Sequence, residues 1–489
     1  MRRAKIPLRQ KLAPTRSCLA TRGMKQVFLS GLLGILLVSS AWAGPAGVAG
    51  SRPNIVLIVA DDLGHGHLGS YGQDKIRTPH INRLAAEGMR FTNAYAGSAV
   101  CAPSRSVLMT GQHTGHTPVR TNGADNRLNP ADFTVAEMLK AAGYATGGFG
   151  KWGLGQQFTT GRAYDQGFDL WVGQYDQVHA HFYYPWYIWR NNRRILLLEN
   201  EGGGRGHYVH DVIHQHALTF IREHKDRPFF AYLSYLLPHV ELVVPEEDEK
   251  PYSRKGWPQV AIPDPREGYI GSHDAYVTYA GMISRLDRHV GEVITLVDRL
   301  GLKENTLIIF TSDNGAQGDT WKPLQDFFNG AGGLRGLKGE LYEGGIRVPM
   351  IARWPGKIKA GSVRALPTCL YDFMPTLAQL AGIAAPVNTD GVSLLPTLLG
   401  TDGQQRHRYL YWEHQAQTAV RAGRWKAIRP SRLDAWELYD LSTDESETTN
   451  VAQKKAMILA RLVTFARVAH TAPRPMPIIP PAVYRDFVR

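Results

Sequence analysis

Residues 54–60 read NIVLIVA, an apolar run that ends on two adjacent aspartates, Asp61 and Asp62. Consecutive apolar residues cannot alternate between a wet and a dry face. A strand made of them must be buried on both sides. Helices packed on each face of a sheet supply that burial, which makes the chain α/β and its sheet mostly parallel.

The rest of the sequence keeps this alternation. Thr78-Pro79 opens a helix, with Thr as cap and Pro at the first helical position, and Gly88 closes it. Helices are predicted over 134–142, 210–224, 274–300 and 371–380, and strands over 144–149, 228–237 (PFFAYLSYLL), 305–311 (NTLIIFT) and 347–353. After about Gly400 the pattern changes to short strand-like pieces at 409–413, 419–421, 425–428 and 436–439, then a helix near 452–470 and a proline-rich tail. The expected organisation is a large, mostly parallel sheet covered by helices over 44–400, and a small C-terminal antiparallel sheet with one helix over 401–489.

Residues 1–43 read as a secretory signal. Basic residues come first, then the apolar run 27–40 (VFLSGLLGILLVSS), then Ala41-Trp42-Ala43 as a cleavage site. The run is shorter than the roughly 20 residues a membrane span needs, so no stable membrane insertion is expected. The protein is expected to be exported, periplasmic or secreted. The net charge of +13 falls to +5 once the eight Lys/Arg of residues 1–43 are set aside. That modest excess is weak evidence for nucleic acid and fits an anionic small molecule or glycan at least as well, and the exported address argues against nucleic acid. Cys18 leaves with the signal. Cys101 and Cys369 could pair in an exported protein, but two cysteines so far apart do not make a disulfide framework.

Polar clusters follow the predicted strands: Asp61-Asp62 after 54–60, Lys151 after 144–149, His239 after 228–237, and Asp313-Asn314 after 305–311. Open α/β sheets bind ligands at that edge. Each cluster alone has a plain reading: a loop cap, a surface lysine, a loop histidine beside Pro238, an Asp-Asn-Gly turn. Together Asp61, Asp62, Asp313 and Asn314 offer three carboxylates and an amide oxygen, a set for a hard cation, Ca²⁺ or Mg²⁺. Zinc would want more His or Cys close by. In the stretch VCAPSRSVLMTG (100–111), Pro103 suits a first helical turn, which sets Cys101 at a helix N-terminus. Unpaired N–H groups there favour an anion, and Arg105 adds a fixed cationic fork.

With these residues the sequence resembles the type I, formylglycine-dependent sulfatases of the alkaline-phosphatase superfamily. Cys101-Ala102-Pro103-Ser104-Arg105 matches their C-x-P-S-R signature, extended by Leu108-x-Thr110-Gly111. Gly150-Lys151-Trp152, Pro238-His239, Ser312-Asp313-Asn314-Gly315 and Glu343-Gly344-Gly345-Ile346-Arg347-Val348-Pro349 resemble further family segments, with Lys338 in the segment before the last. The resemblance spans nearly the whole chain after the signal and implies an alkaline-phosphatase-like fold.

It also implies roles. Cys101 is oxidised by a formylglycine-generating maturation enzyme, and the aldehyde hydrates to a geminal diol. One hydroxyl attacks sulfur, and the other later expels sulfate as the aldehyde reforms. Asp61, Asp62, Asp313 and Asn314, with position 101, hold the metal, Ca²⁺ by family habit and Mg²⁺ as the alternative. Arg105 steadies the formylglycine, Lys151 and Lys338 carry the developing sulfate charge, and His239 protonates the leaving alcohol.

One position departs from the family. Many members read G-K-W-H-L-G, and here Gly153 replaces the histidine that contacts the formylglycine. The stretch 179–185 (HAHFYYP) resembles one in bacterial sulfatases that share the G-K-W-G-L-G form. His181 is therefore expected to fill the gap, against a reading in which it only walls the pocket. The aromatic stretch 181–194 (HFYYPWYIWRNNRR) suits stacking on sugar rings, with arginines for further anions, or is a packed insertion with a basic edge. Glu241 is a further candidate on proximity to His239. The expected substrate is a sulfated saccharide, on a galactose or N-acetylgalactosamine unit, or an aryl sulfate. Rival readings are a phosphonate or phosphodiester hydrolase of the same superfamily, and a sugar-binding homologue that has lost catalysis.

Overall fold

The computed structural model describes residues 52–123, 126–263 and 269–475. The expected signal segment 1–43 and the end of the proline-rich tail lie outside them. In chain order the strands are β1 (Asn54–Ala60), β2 (Met89–Phe91), β3 (Ala94–Tyr95), β4 (Ala145–Lys151), β5 (Leu170–Gln174), β6 (Tyr187–Arg190), β7 (Arg193–Leu196), β8 (Phe229–Ser234), β9 (Thr306–Ser312), β10 (Met350–Arg353), β11 (Ser362–Arg364), β12 (Thr368–Cys369), β13 (Leu410–His414), β14 (Gln417–Ala422), β15 (Trp425–Arg429) and β16 (Glu437–Asp440).

Among the described residues, ten strands make one sheet in the order β11-β2-β10-β9-β1-β8-β4-β5-β6-β7. The central five, β9-β1-β8-β4-β5, run parallel, and β10 and β6 flank them antiparallel. The unbroken apolar run of β1 is explained by its place in the middle. Ile55, Leu57 and Val59 enter one core with the helices Cys101–Thr110, Val135–Ala141 and Phe373–Ala381. Val56, Ile58 and Ala60 enter the other, with the helices Pro79–Glu87, Val209–Glu223 and Ala275–Arg299.

Three predicted strands shift at their ends. The run 228–237 leaves the sheet after Ser234, so His239 arrives on a turn, its N–H donating to Leu236 O at 2.8 Å. The strand expected over 144–149 continues to Lys151, which is its last residue, not a residue beyond it. The strand expected over 347–353 begins at Met350, because 343–346 form a helical turn. From Tyr187 on, the aromatic stretch folds into the antiparallel hairpin β6–β7 at the sheet edge; residues 182–186 lead into it as a loop.

Strands β13–β16 form a second, antiparallel sheet. One face packs Tyr411, Val420, Ala427 and Leu438 against Leu462, Phe465 and Ala466 of the helix Ala456–Ala469. The other face adds Leu410, Trp412, Ala419 and Ile428 to the core of the larger sheet. A buried charge network joins the two sheets. Lys426 on β15 lies 2.9 Å from Glu343 Oε1 and 2.9 Å from Glu447 Oε1, and Arg347 and Tyr95 both donate to Glu343 Oε2 at 2.7 Å. Breaking one partner out of such a network leaves an unpaired buried charge and costs about 3–5 kcal/mol. No helix among the described residues is long and apolar enough to cross a membrane.

Candidate active site

The carboxyl ends of β1, β4 and β9 and the turn after β8 deliver polar side chains into one pocket. Backbone bonds fix the corner after β1. Asp61 N–H donates to Leu237 O at 3.2 Å, Asp62 N–H to Asp313 Oδ1 at 3.1 Å, and Leu63 N–H to Ser312 Oγ at 3.0 Å. Asp62 takes a left-handed backbone, φ 62°, to make this corner, a conformation that Asp tolerates better than most residues.

Cys101 is the first residue of the helix Cys101–Thr110 and is 1 % exposed. Asn122 Oδ1 accepts the Ala102 N–H at 2.9 Å, and Pro103 has no N–H to satisfy. The thiol lies 3.3 Å from Asp61 Oδ1 and 3.9 Å from Asp62 Oδ1. One turn along, Arg105 donates to Asp313 Oδ2 through Nε at 3.0 Å and through its terminal nitrogen at 2.7 Å, and lies 3.5 Å from Asp61 Oδ2. Its other terminal nitrogen donates to Lys151 O at 3.0 Å and to Ser234 Oγ. Lys151 Nζ pairs with Asp61 Oδ2 at 2.7 Å.

On the opposite side, Lys338 Nζ donates to Asp62 Oδ2 at 2.7 Å, to Gln317 Oε1 at 3.1 Å and to His239 Nε2 at 2.9 Å. His239 Nδ1 faces Val240 O at 3.2 Å, which assigns the ring proton to Nδ1 and leaves Nε2 as acceptor. Asp62 Oδ2 is 3.2 Å from His239 Nε2. The Lys338 side chain is 11 % exposed, so the wettest edge of this buried group is on the Lys338 side.

The electrostatics follow from three carboxylates and three cations held away from water. Burial works to raise Asp61, but Lys151, His239 and Arg105 override it and hold the acid well below the usual range. Burial, with the Asp61 charge, pushes Asp313 up, and burial keeps Asp62 raised against the pull of Lys338. Burial and then Asp61 push the Cys101 thiol far up. Burial and the neighbouring Lys338 lower His239 well below the ordinary imidazole value.

The residues fit a divalent cation. Ligand atoms of Asp61, Asp62, Cys101 and His239 all lie within 4.8 Å of one another. Asn314 Nδ2 donates to Asp62 Oδ1 at 2.6 Å, while its Oδ1 is buried and accepts no hydrogen bond among the described residues. A buried oxygen left over beside crowded carboxylates is the donor a hard cation takes up.

The remaining candidates sit around this centre. His181 stacks on His239, ring centroids 4.6 Å apart, and its Nδ1 lies 2.9 Å from Tyr269 Oη. Glu241 is buried, and its oxygens accept from Tyr183 N–H at 2.8 Å and Ile270 N–H at 2.7 Å. At Gly153 the backbone is left-handed, φ 75°, and a Cβ would come within 2.7 Å of Gln177 Nε2. The amide of Gln177 thus fills the space beside the position where the expected histidine is missing. Cys369 is buried and free, its thiol donating to Ala96 O at 3.3 Å, so no bridge joins it to Cys101. Arg194 lies over Tyr187, Trp189 and Trp186 at 4.5, 5.3 and 5.5 Å, stacked on its own hairpin.

Sequence reasoning missed Ser234, Asn122, Gln317 and Gln177. Ser234 had a signal, a polar residue inside an otherwise apolar strand, and it donates to Lys151 O at 2.6 Å. The other three stand in loops, where a single polar side chain carries no pattern.

The family model "Sulfatase" matches residues 53–383, and a model of the N-sulphoglucosamine sulphohydrolase C-terminal region matches residues 337–464. An N-acetylgalactosamine-6-O-sulfatase of Bacteroides thetaiotaomicron is 32% identical over 491 residues, spanning 84% of this chain and 92% of that protein. Human arylsulfatase A is 34% identical over 464 residues, spanning 83% and 85%. A solved Bacteroides thetaiotaomicron sulfatase, described in connection with the metabolism of multiple glycosaminoglycans, superposes with a TM-score of 0.72 at 29% identity over 86% of this chain and 99% of that one.

Proposed function

This chain belongs to the sulfatase family and is a sulfuric ester hydrolase, and from that premise we propose that it removes sulfate from a saccharide, at a galactose or N-acetylgalactosamine unit, with Cys101 matured to formylglycine. The observation that carries the reading is Cys101 at a helix N-terminus, 3.3 Å from Asp61, inside a ring of Arg105, Lys151, Lys338 and His239. The similarity to an N-acetylgalactosamine-6-O-sulfatase supports the sugar. The apolar run at 27–40 followed by Ala-Trp-Ala supports export to the periplasm or beyond.

Oxidised by a separate maturation enzyme, Cys101 supplies a hydrated aldehyde as the nucleophile toward sulfur. Asp61, Asp62, Asp313 and Asn314 would hold a divalent cation, Ca²⁺ being the better match to an all-oxygen set, and the cation supplies Lewis-acid polarisation of the sulfate ester. Arg105 holds Asp313 and the Lys151 carbonyl, and so fixes the floor under position 101. Lys151 and Lys338 are fixed cations in a dry pocket, where each is worth more to a developing sulfate charge than it would be in water. His239 is the general acid of this reading: its Nε2 takes the proton that Lys338 Nζ holds toward it at 2.9 Å and passes it to the leaving oxygen, and Lys338, at the wetter edge, is then re-protonated from solvent. The Gln177 amide beside Gly153 has no basic nitrogen, so a base for the second half of the reaction must come from elsewhere. His181, stacked on His239, is the imidazole we assign to that step.

The test is sulfate release by protein matured in its own host. Its substrates are 6-sulfated galactose and N-acetylgalactosamine, aryl sulfates, and matched phosphate esters. Turnover of a sulfated sugar above the phosphate esters supports the reading. Turnover of phosphate esters alone overturns it.

A further inference from the structure

Beside the catalytic pocket lies a cavity of about 720 Å³, walled by Phe182, Tyr184, Trp186 and Arg205, with Glu241 and Ile270 among its lining. At about 30 Å³ per water-sized group it has room for on the order of two dozen such groups, the heavy atoms of about two hexose units. Its lining adjoins the pocket through chain neighbours of His181 and His239, Phe182 and Glu241. His181 stacks on His239, and the next residue, Phe182, lines the cavity with its ring edge-on to Tyr269 at 5.4 Å. The walls are held by the protein itself: Glu241, two residues beyond His239, ties Tyr183 N–H to Ile270 N–H through its two oxygens.

Arg205 is the cation of this cavity, whose lining also carries the carboxylates of Glu241, engaged by two backbone N–H groups, and Glu201. Arg205 is exposed, lies over the Tyr184 ring at 5.9 Å, and among the described residues pairs with no carboxylate. Arg194, by contrast, is spent on the rings of its own hairpin. Arg205 follows three glycines, of which Gly202 and Gly203 have left-handed backbones with open space around them, so this turn presents no side chain between Glu201 and the guanidinium. Glu201, exposed at the rim, is suited to sugar hydroxyls.

We infer that this cavity is a subsite for a second, negatively charged sugar joined to the sulfated one, with Tyr184 and Trp186 against its ring faces and Arg205 paired to its carboxylate or sulfate. Aromatic faces with an unpaired guanidinium beside them are the chemistry of an anionic saccharide. The inference rests on the sulfatase reading and narrows its substrate to an anionic oligosaccharide.

The experiment compares wild type, Arg205→Gln and Trp186→Ala, each confirmed folded by its melting curve. Four probes are used: 4-nitrophenyl sulfate, 6-sulfated N-acetylgalactosamine, the unsaturated disaccharide of chondroitin 6-sulfate (a carboxylate neighbour) and a carrageenan disaccharide (a sulfate neighbour). Wild type is expected to favour one disaccharide over the monosaccharide by about tenfold in kcat/KM, and each variant to lose that preference through KM. The favoured disaccharide identifies the anion. Equal kcat/KM for monosaccharide and both disaccharides in wild type, or an Arg205→Gln loss that is the same for all, overturns the subsite while leaving the saccharide reading intact. Turnover of 4-nitrophenyl sulfate alone overturns both.

Discussion

Lys338 Nζ stands 2.9 Å from His239 Nε2 and 2.7 Å from Asp62 Oδ2, so the proposed acid and the proposed metal ligand share one ammonium. That places a proton source directly behind the group that must protonate an alkoxide. A sugar alkoxide is a poor leaving group and needs the proton, whereas a nitrophenolate does not. His239→Ala is therefore expected to lose roughly 10²–10⁴ in kcat on a sugar sulfate and much less on 4-nitrophenyl sulfate. Adding Lys338→Ala to His239→Ala should cost less than the two single losses together, because the residues act as a unit. Equal losses on both substrates would remove His239 from the proton transfer.

The cation reading has a readout that does not need turnover. With Ca²⁺ at about a hundred times its Kd, the unfolding free energy should rise by about 2.7 kcal/mol over chelator-treated protein. Asn314→Ala should lose most of that increment, since its Oδ1 has no other use in the fold. A melting curve indifferent to Ca²⁺ and Mg²⁺ in the wild type would contradict the site.

His181 is tested by separating the two halves of the reaction. The expected result for His181→Ala is a first-turnover burst of product that persists while steady-state turnover falls roughly a hundredfold. If burst and steady state are both untouched, the residue only walls the pocket.

Acid should weaken the fold in a defined window. His67 is buried, with Gly64 N–H donating to Nδ1 at 2.9 Å and Nε2 at 2.9 Å from Gln325 Oε1, so the ring is neutral in the folded chain. Burial lowers its pKa from 6.5 to about 4. Between those values the unfolded chain binds a proton that the folded chain does not, so stability is lost as pH falls through the window. The loss at pH 5 is about 2 kcal/mol for this residue alone. His113, His179 and His289 are lowered to about 4 by the same leading cause, burial, and act in the same direction. Urea unfolding at pH 7 and pH 5 should show the drop, and His67→Gln should reduce it. Equal midpoints at the two pH values would contradict the assignment.

What could be read from the sequence was what repeats or what cannot be hidden. The apolar run of β1 predicts its own burial on both faces, and the carboxylates that follow it have to face something. Cys101 begins a helix, Arg105 lies one turn along it, Lys151 ends β4 and Asp313 follows β9, so regular elements bring the four together. His239 belongs to the pocket too, but the route by which it arrives is a turn after Ser234, because Leu236 and Leu237 continue the apolar pattern without continuing the strand. The edge hairpin β6–β7 was hidden for a different reason. Its aromatics pack on one another and on Arg194, and such packing leaves no alternation to read. Gln177 could not be found at all, since its place beside Gly153 is set by a contact between segments that share no local pattern.

The central claim is the chemical state of position 101, and it is read most directly from the peptide spanning Cys101, isolated from protein made in its own host. The account predicts a residue about 18 Da lighter than cysteine as the aldehyde, one that a hydrazide reagent captures and that a thiol reagent does not. A peptide that keeps the cysteine mass, alkylates as a thiol and ignores the hydrazide, in protein that still releases sulfate, would contradict it.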